Sequence, residues 1–135
     1  MITYILTFIS GIISFMVLDY LWLAKIAKNF YLEKLALHIT VRDGALVPYL
    51  PAVPLVYIVA LIGIWFFVLT RVTTVGQAAL QGALLGFCMY AFYDFTNLAT
   101  LKEYPWSLTI VDIIWGTLLV AAVTTIMFFV KNILA

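Results

Sequence analysis

VTTVGQAALQGALLGFCMYAFYDFTNLATL, residues 72 to 101, runs for 30 residues without a Lys, Arg or Glu and carries one formal charge, Asp94. About 20 apolar residues, each rising about 1.5 Å along a helix, cross the ~30 Å hydrocarbon layer of a bilayer. The stretch therefore predicts a transmembrane helix. Three stretches of the same kind, 1 to 24, 44 to 70 and 104 to 130, take up most of the remaining chain of 135 residues. Ten of the 13 formal charges lie between or beyond these stretches. With 67% hydrophobic residues and a mean hydropathy of +1.19, too few charges remain to clothe a soluble domain. The expected fold class is an all-α membrane protein, a four-transmembrane-helix bundle forming a single transmembrane domain over 1–135, with spans near 2–24, 46–70, 74–101 and 107–130. A Rossmann unit, a P-loop domain and a nucleic-acid module are excluded by size, and a net charge of +1 offers no basic patch to nucleic acid.

Charge asymmetry sets the expected orientation. Lys25, Lys28, Lys34, Arg42 and Lys102 fall on one side, against Arg71 and Lys131 on the other. The positive-inside rule makes the first side cytoplasmic and puts both termini outside the cytoplasm, as expected of a multi-pass protein of a bacterial inner membrane. The start, Met1-Ile2-Thr3-Tyr4, lacks the cationic region of a secretory signal, so the first stretch reads as a retained helix. Cys88 lies mid-membrane with no second cysteine for an intramolecular disulfide.

Two features interrupt the apolar pattern. Pro48, Pro51 and Pro54 open the second stretch, and a helix starting only after Pro54 is short for a span, so this segment is expected to enter the membrane kinked or unwound beside a cavity. Gly11, Asp19, Leu23 and Ala24 align with Gly86, Asp94, Leu98 and Ala99 at an offset of 75 residues. This is the pattern of a parallel two-helix duplication.

The remaining charges, Asp19, Asp94 and Asp112, all lie within hydrophobic stretches and at similar distances from the expected cytoplasmic ends. A carboxylate in hydrocarbon costs at least a few kcal/mol, so such residues turn inward and find a partner group, an ion, a proton or water. Three at one depth repel one another unless they share a proton or a cation. Helical spacing places Gly82, Gly86, Tyr90 and Asp94 on one face, with Asn97 one turn further. Gly82-x-x-x-Gly86 permits close approach of another helix and suggests a homodimer contact. Asp112, Trp115 and Gly116 supply a second inward face. The candidate ligand- or proton-binding residues are thus Asp19, Asp94, Asn97, Asp112, Tyr90 and Trp115, with plain hydrogen-bonded helix glue as the competing explanation. Trp22, Trp106, Tyr31, Tyr49 and Tyr104 read as an interfacial aromatic belt. His38 and Asp43 fall in the cytoplasmic loop; no metal-ligand spacing accompanies them, so neither a metal nor an organic cofactor is expected.

Tyr93-Asp94-Phe95-Thr96-Asn97-Leu98-Ala99-Thr100-Leu101, then Pro105-Trp106, then Asp112-Ile113-Ile114-Trp115-Gly116-Thr117, resembles a bacterial family of small four-span membrane proteins catalogued as a domain of unknown function, number 2177. Asp19 with Trp22, followed by Phe30-Tyr31, fits the opening of that family, and the resemblance covers essentially the whole chain. Lys102-Glu103-Tyr104 departs from the pattern by inserting charge before Pro105. The resemblance implies no particular activity; gene neighbourhoods of relatives associate the family with fatty-acyl-chain modification and with oxidative or light stress.

These residues lead to two expectations. The first is a polar carboxylate pocket in the cytoplasmic leaflet that binds or transports a small polar or cationic ligand, with proton coupling. The alternative is a lipid-modifying enzyme, or its membrane partner, acting on acyl chains or head groups. Whether the protein is an enzyme stays open, since no nucleophile–base pair stands out. The expected partners are the bilayer, a small polar ligand or lipid, and a second copy of the chain.

Overall fold

The structure is a computed structural model that describes all 135 residues, and it is mostly helical. Five α-helices follow one another: α1 (Ile2–Leu21), α2 (Lys28–Lys34), α3 (Val53–Gly63), α4 (Val75–Thr100) and α5 (Trp106–Ile133). Two widened, π-helical turns extend them, Trp22–Ile26 after α1 and Ile64–Leu69 after α3. Three helical segments, Ile2–Ile26, α4 and α5, are long and apolar enough to cross a membrane, and Val53–Leu69 is a shorter apolar one. The all-α membrane fold expected from the sequence is therefore present.

Local chemistry explains where the helices start and stop. Thr74 accepts a hydrogen bond from the Gln77 backbone N–H at 3.2 Å, while Gln77 Oε1 accepts from the Thr73 N–H at 2.9 Å, a reciprocal arrangement that satisfies donors at the entrance of α4. Pro54 sits in the first turn of α3, where its missing N–H costs little. Residues 48 to 52 before it are not helical, and Tyr49 and Leu50 are exposed. The polar side chains of the apolar helices mostly bond back to their own backbone, as in Thr7 to Thr3 O, Ser14 to Ser10 O and Thr96 to Phe92 O. That arrangement needs no water.

Helix α5 is the central element, packed along α4 on one side and α1 on another. Its approach to α4 is close because both helices lack side chains at the contact: a Cβ on Gly86 would lie 2.4 Å from Gly116 O, and one on Gly82 would lie 2.7 Å from Thr124. The glycine face of α4, expected to be free for a second copy, is therefore occupied by α5 of the same chain. The two aligned stripes also have different surroundings. Gly11 meets the side chains of Leu61 and Met127, whereas Gly86 meets the α5 backbone.

The main core lies towards the chain termini and joins Ile64, Leu69, Leu119, Val120, Val123 and Met127, all essentially inaccessible. At this end Lys131 donates to Leu69 O at 2.6 Å. A smaller cluster of Ala27, Tyr31, Tyr104 and Leu108 closes the opposite end. Large apolar side chains elsewhere point outward, Phe92 and Leu80 among them, which suits lipid rather than water.

The segment joining α2 to α3 forms a small antiparallel hairpin, Val41–Arg42 against Ala45–Leu46. Asp43 and Gly44 both have positive φ, 50° and 69°, as a two-residue hairpin turn of this hand demands.

Candidate functional site

The three membrane carboxylates lie between the two apolar clusters, each held by an aromatic donor from another part of the chain. Asp19, in the last turn of α1, accepts from the Tyr57 hydroxyl of α3 and from Trp115 Nε1 of α5, both at 3.2 Å. Asp112, in the second turn of α5, accepts a short hydrogen bond from the Tyr31 hydroxyl of α2. Tyr31 Oη in turn accepts from Trp22 Nε1 at 3.2 Å. Asp94 of α4 is fully buried; its Oδ1 accepts from the Tyr104 hydroxyl at 2.8 Å, and its Oδ2, beside Asp112, has no hydrogen-bond partner among the surrounding groups.

The π-helical turn Trp22–Ile26 matters to this arrangement, because it carries Trp22 onto Trp115, where the two indoles stack with centroids 4.4 Å apart and planes 4° from parallel. The stacked pair links the Asp19 and Asp112 hydrogen-bond systems, since one indole donates to Asp19 and the other to the tyrosine that bonds Asp112.

Two cavities adjoin the cluster. One, of about 220 Å³, lies under the α2 and hairpin segment and is bounded by Tyr31, Leu35, Leu46, Asp19, Asp112 and Trp115. The other, of about 370 Å³, lies between α1, α3 and α4 and is bounded by Phe15, Tyr57, Ala60, Met89, Asp19 and Asp112. Asp19, Asp112, Tyr90 and Tyr93 border both. Tyr90 is fixed there by the absence of a side chain on Gly116, whose Cβ would fall 2.0 Å from the ring.

Of the residues singled out in the sequence, Asp19, Asp112, Tyr90 and Trp115 are brought onto these cavities. Asp94 is buried beside them and lines neither. Asn97 is half-buried next to Tyr104 and also lines neither. The Pro48 to Pro54 segment, although non-helical up to Ala52, borders neither of these cavities; the first residue of α3 to reach one is Val56. His38 is exposed and lies with its ring 6.2 Å from that of Tyr104; Asp43 is at the hairpin tip, so neither joins the carboxylates.

Tyr31 and Tyr104 correct the aromatic-belt reading. Trp106 and Tyr49 are exposed as belt residues should be, whereas Tyr31 and Tyr104 are buried and serve as carboxylate donors. Burial, reinforced for Tyr31 by the Asp112 carboxylate, holds both phenols well above the ordinary tyrosine range, so they remain O–H donors at neutral pH. The signal available in the sequence was the need itself: each buried carboxylate requires donors, and Tyr31 and Tyr104 flank the spans at the matching depth.

A model of the family described as predicted membrane protein (DUF2177) matches residues 4–129. The chain belongs to that family. No curated protein and no solved structure matches it.

Proposed function

We propose that this DUF2177 member binds a small organic cation in the cavities bordered by Asp19 and Asp112 and moves it across the membrane in exchange for protons. The supporting observation is the lining: Asp19 and Asp112 border both cavities together with Tyr90 and Tyr93, with Trp115 added in the smaller and Tyr57 in the larger. Aromatic faces attract cations through their quadrupoles, and a desolvated carboxylate supplies the opposing charge. Neutral hydrogen-bond donors cover one or two oxygens of each carboxylate without supplying a positive charge, since Asp19, Asp94 and Asp112 form no salt bridge. A cation thus completes the site electrostatically.

The cavity under α2 lies next to a segment that carries Lys25, Lys28, Lys34 and Arg42, taken here as the cytoplasmic side. A proton-coupled cycle uses the same carboxylates alternately for cation and proton. Reconstituted vesicles holding a trapped pH-sensitive dye and facing a tetramethylammonium gradient test this. The expected result is a lumenal pH change that depends on the gradient and disappears in Asp112→Asn. A pH trace identical in protein-free vesicles would overturn the proposal.

A further inference from the structure

We infer that the occupant of this site is an amphiphilic cation, a quaternary or protonated amine bearing a long apolar chain, and that it enters sideways from the bilayer between α3 and α4. The inference rests on the cation-binding reading and specifies its substrate class.

The larger cavity carries the case. Its floor holds the charges, Asp19 and Asp112, and its outer wall is apolar, formed by Val56 of α3 and Met89 of α4 with Tyr93 at the edge. Val56 and Tyr93 are 63% and 58% exposed, so residues bordering the cavity also form the outer surface of the bundle. The helices diverge at this level: α4 meets the α3 segment chiefly through its π-helical end, Ile64–Leu69, and α3 otherwise leans on α1. The gap therefore opens on the outer face of the bundle at the first turn of α3, among exposed apolar side chains such as Leu55, Val59 and Phe92.

Depth agrees with the chemistry. Asp94 lies six residues before the end of α4 and Asp112 six after the start of α5, which at about 1.5 Å per residue is about 9 Å inside the helix ends. An amphiphile dissolved in one leaflet carries its head near this level and its chain towards the midplane. Its head reaches the carboxylates by moving laterally, while the chain stays in hydrocarbon and passes out beside Val56 and Met89.

The test uses the full chain in lipid nanodiscs and reads quenching of tryptophan fluorescence, Trp115 and Trp22 being at the site. Tetramethylammonium and dodecyltrimethylammonium share a head and differ in the chain. In the wild type we expect saturable quenching by both, with the dodecyl compound acting at an aqueous concentration at least tenfold lower because the bilayer gathers it. Val56→Phe enlarges an exposed side chain at the mouth without adding a tryptophan to the readout; it should weaken dodecyltrimethylammonium at least tenfold more than it weakens tetramethylammonium. Equal effects on the two ligands, or none on either, would overturn lateral entry while leaving cation binding in place. Absence of saturable quenching by both ligands in the wild type would remove the cation-binding reading and this inference with it.

Discussion

The two halves of the bundle are built on different rules. Towards the termini, Ile64, Leu69, Leu119, Val120, Val123 and Met127 interlock without measurable exposure, and the glycines of α4 bring it against α5. Towards the other end, packing gives way to three carboxylates, five aromatic hydrogen-bond donors or stacking partners, and two cavities. A bundle needs only the first half to hold together. The second half buries acidic groups at a cost that stability alone does not explain, which is why the proposed function is placed there.

The largest expected effect breaks the packed half. Gly86→Val places side-chain carbons where the Gly116 carbonyl and Val120 already sit, 2.4 and 2.8 Å from the Cβ position. Backbone cannot yield as a flexible side chain does, so a loss of about 3 kcal/mol or more, enough to abolish the monodisperse folded species, is expected on size-exclusion chromatography in detergent. A normal elution profile and thermal midpoint would show that α4 and α5 do not meet there.

Met127→Ala should act next in size, costing about 2–5 kcal/mol through the void it leaves beside Gly11 and its core neighbours. Ligand affinity per folded molecule should be unchanged, since Met127 touches neither cavity. Reduced affinity at saturating folded fraction would mean that the halves are energetically coupled.

A smaller change separates the two rules within the polar half. Tyr104→Phe removes the hydroxyl that donates to Asp94 Oδ1, on a fully buried carboxyl, at a cost of about 1–3 kcal/mol. Asp94→Asn combined with Tyr104→Phe should recover much of that loss, because an amide is cheaper to leave short of partners than a charge. Additive losses in the double variant, measured by reversible unfolding, would argue that the two side chains do not interact.

The smallest effect is alkaline. Tyr31 and Tyr104 have folded-state values raised above the ordinary 10.0 of tyrosine, so the stability they contribute as neutral donors is complete below about pH 10 and is lost as pH rises further. Thermal midpoints measured between pH 8 and 11 should stay level and then fall, with a shallower fall in the Tyr31→Phe, Tyr104→Phe double variant. An equal fall in that variant would place the alkaline sensitivity elsewhere.

The contrast between the halves also explains what the sequence discloses. Apolar run lengths were enough for the all-α membrane class, and the Gly82–Gly86 spacing marked a close helix contact, although spacing alone cannot say whether the partner is the same chain or another. Asp19, Asp112, Tyr90 and Trp115 were legible because a charge, or an aromatic one turn from a charge or glycine, is conspicuous in an apolar run. Tyr31 and Tyr104 were not, because an aromatic at a span end looks the same whether it faces head groups or turns in to a carboxylate. Asn97, one turn beyond Asp94 on the same face, is also one turn nearer the helix end, where it lies beside Tyr104 and borders neither cavity. The Asp43-Gly44 pair is a recognisable hairpin turn, but it lies in the charged loop, where apolar run lengths carry no information.

Tetramethylammonium titration of the purified protein by calorimetry, run in parallel on the wild type, Asp19→Asn, Asp112→Asn and Met127→Ala, tests the division of labour most directly. Saturable binding in the wild type and in the folded fraction of Met127→Ala, with at least a tenfold loss in each carboxylate variant, is the predicted outcome. Absence of saturable binding in the wild type, or binding that survives both Asp substitutions, would contradict the assignment of the carboxylate half to cation recognition.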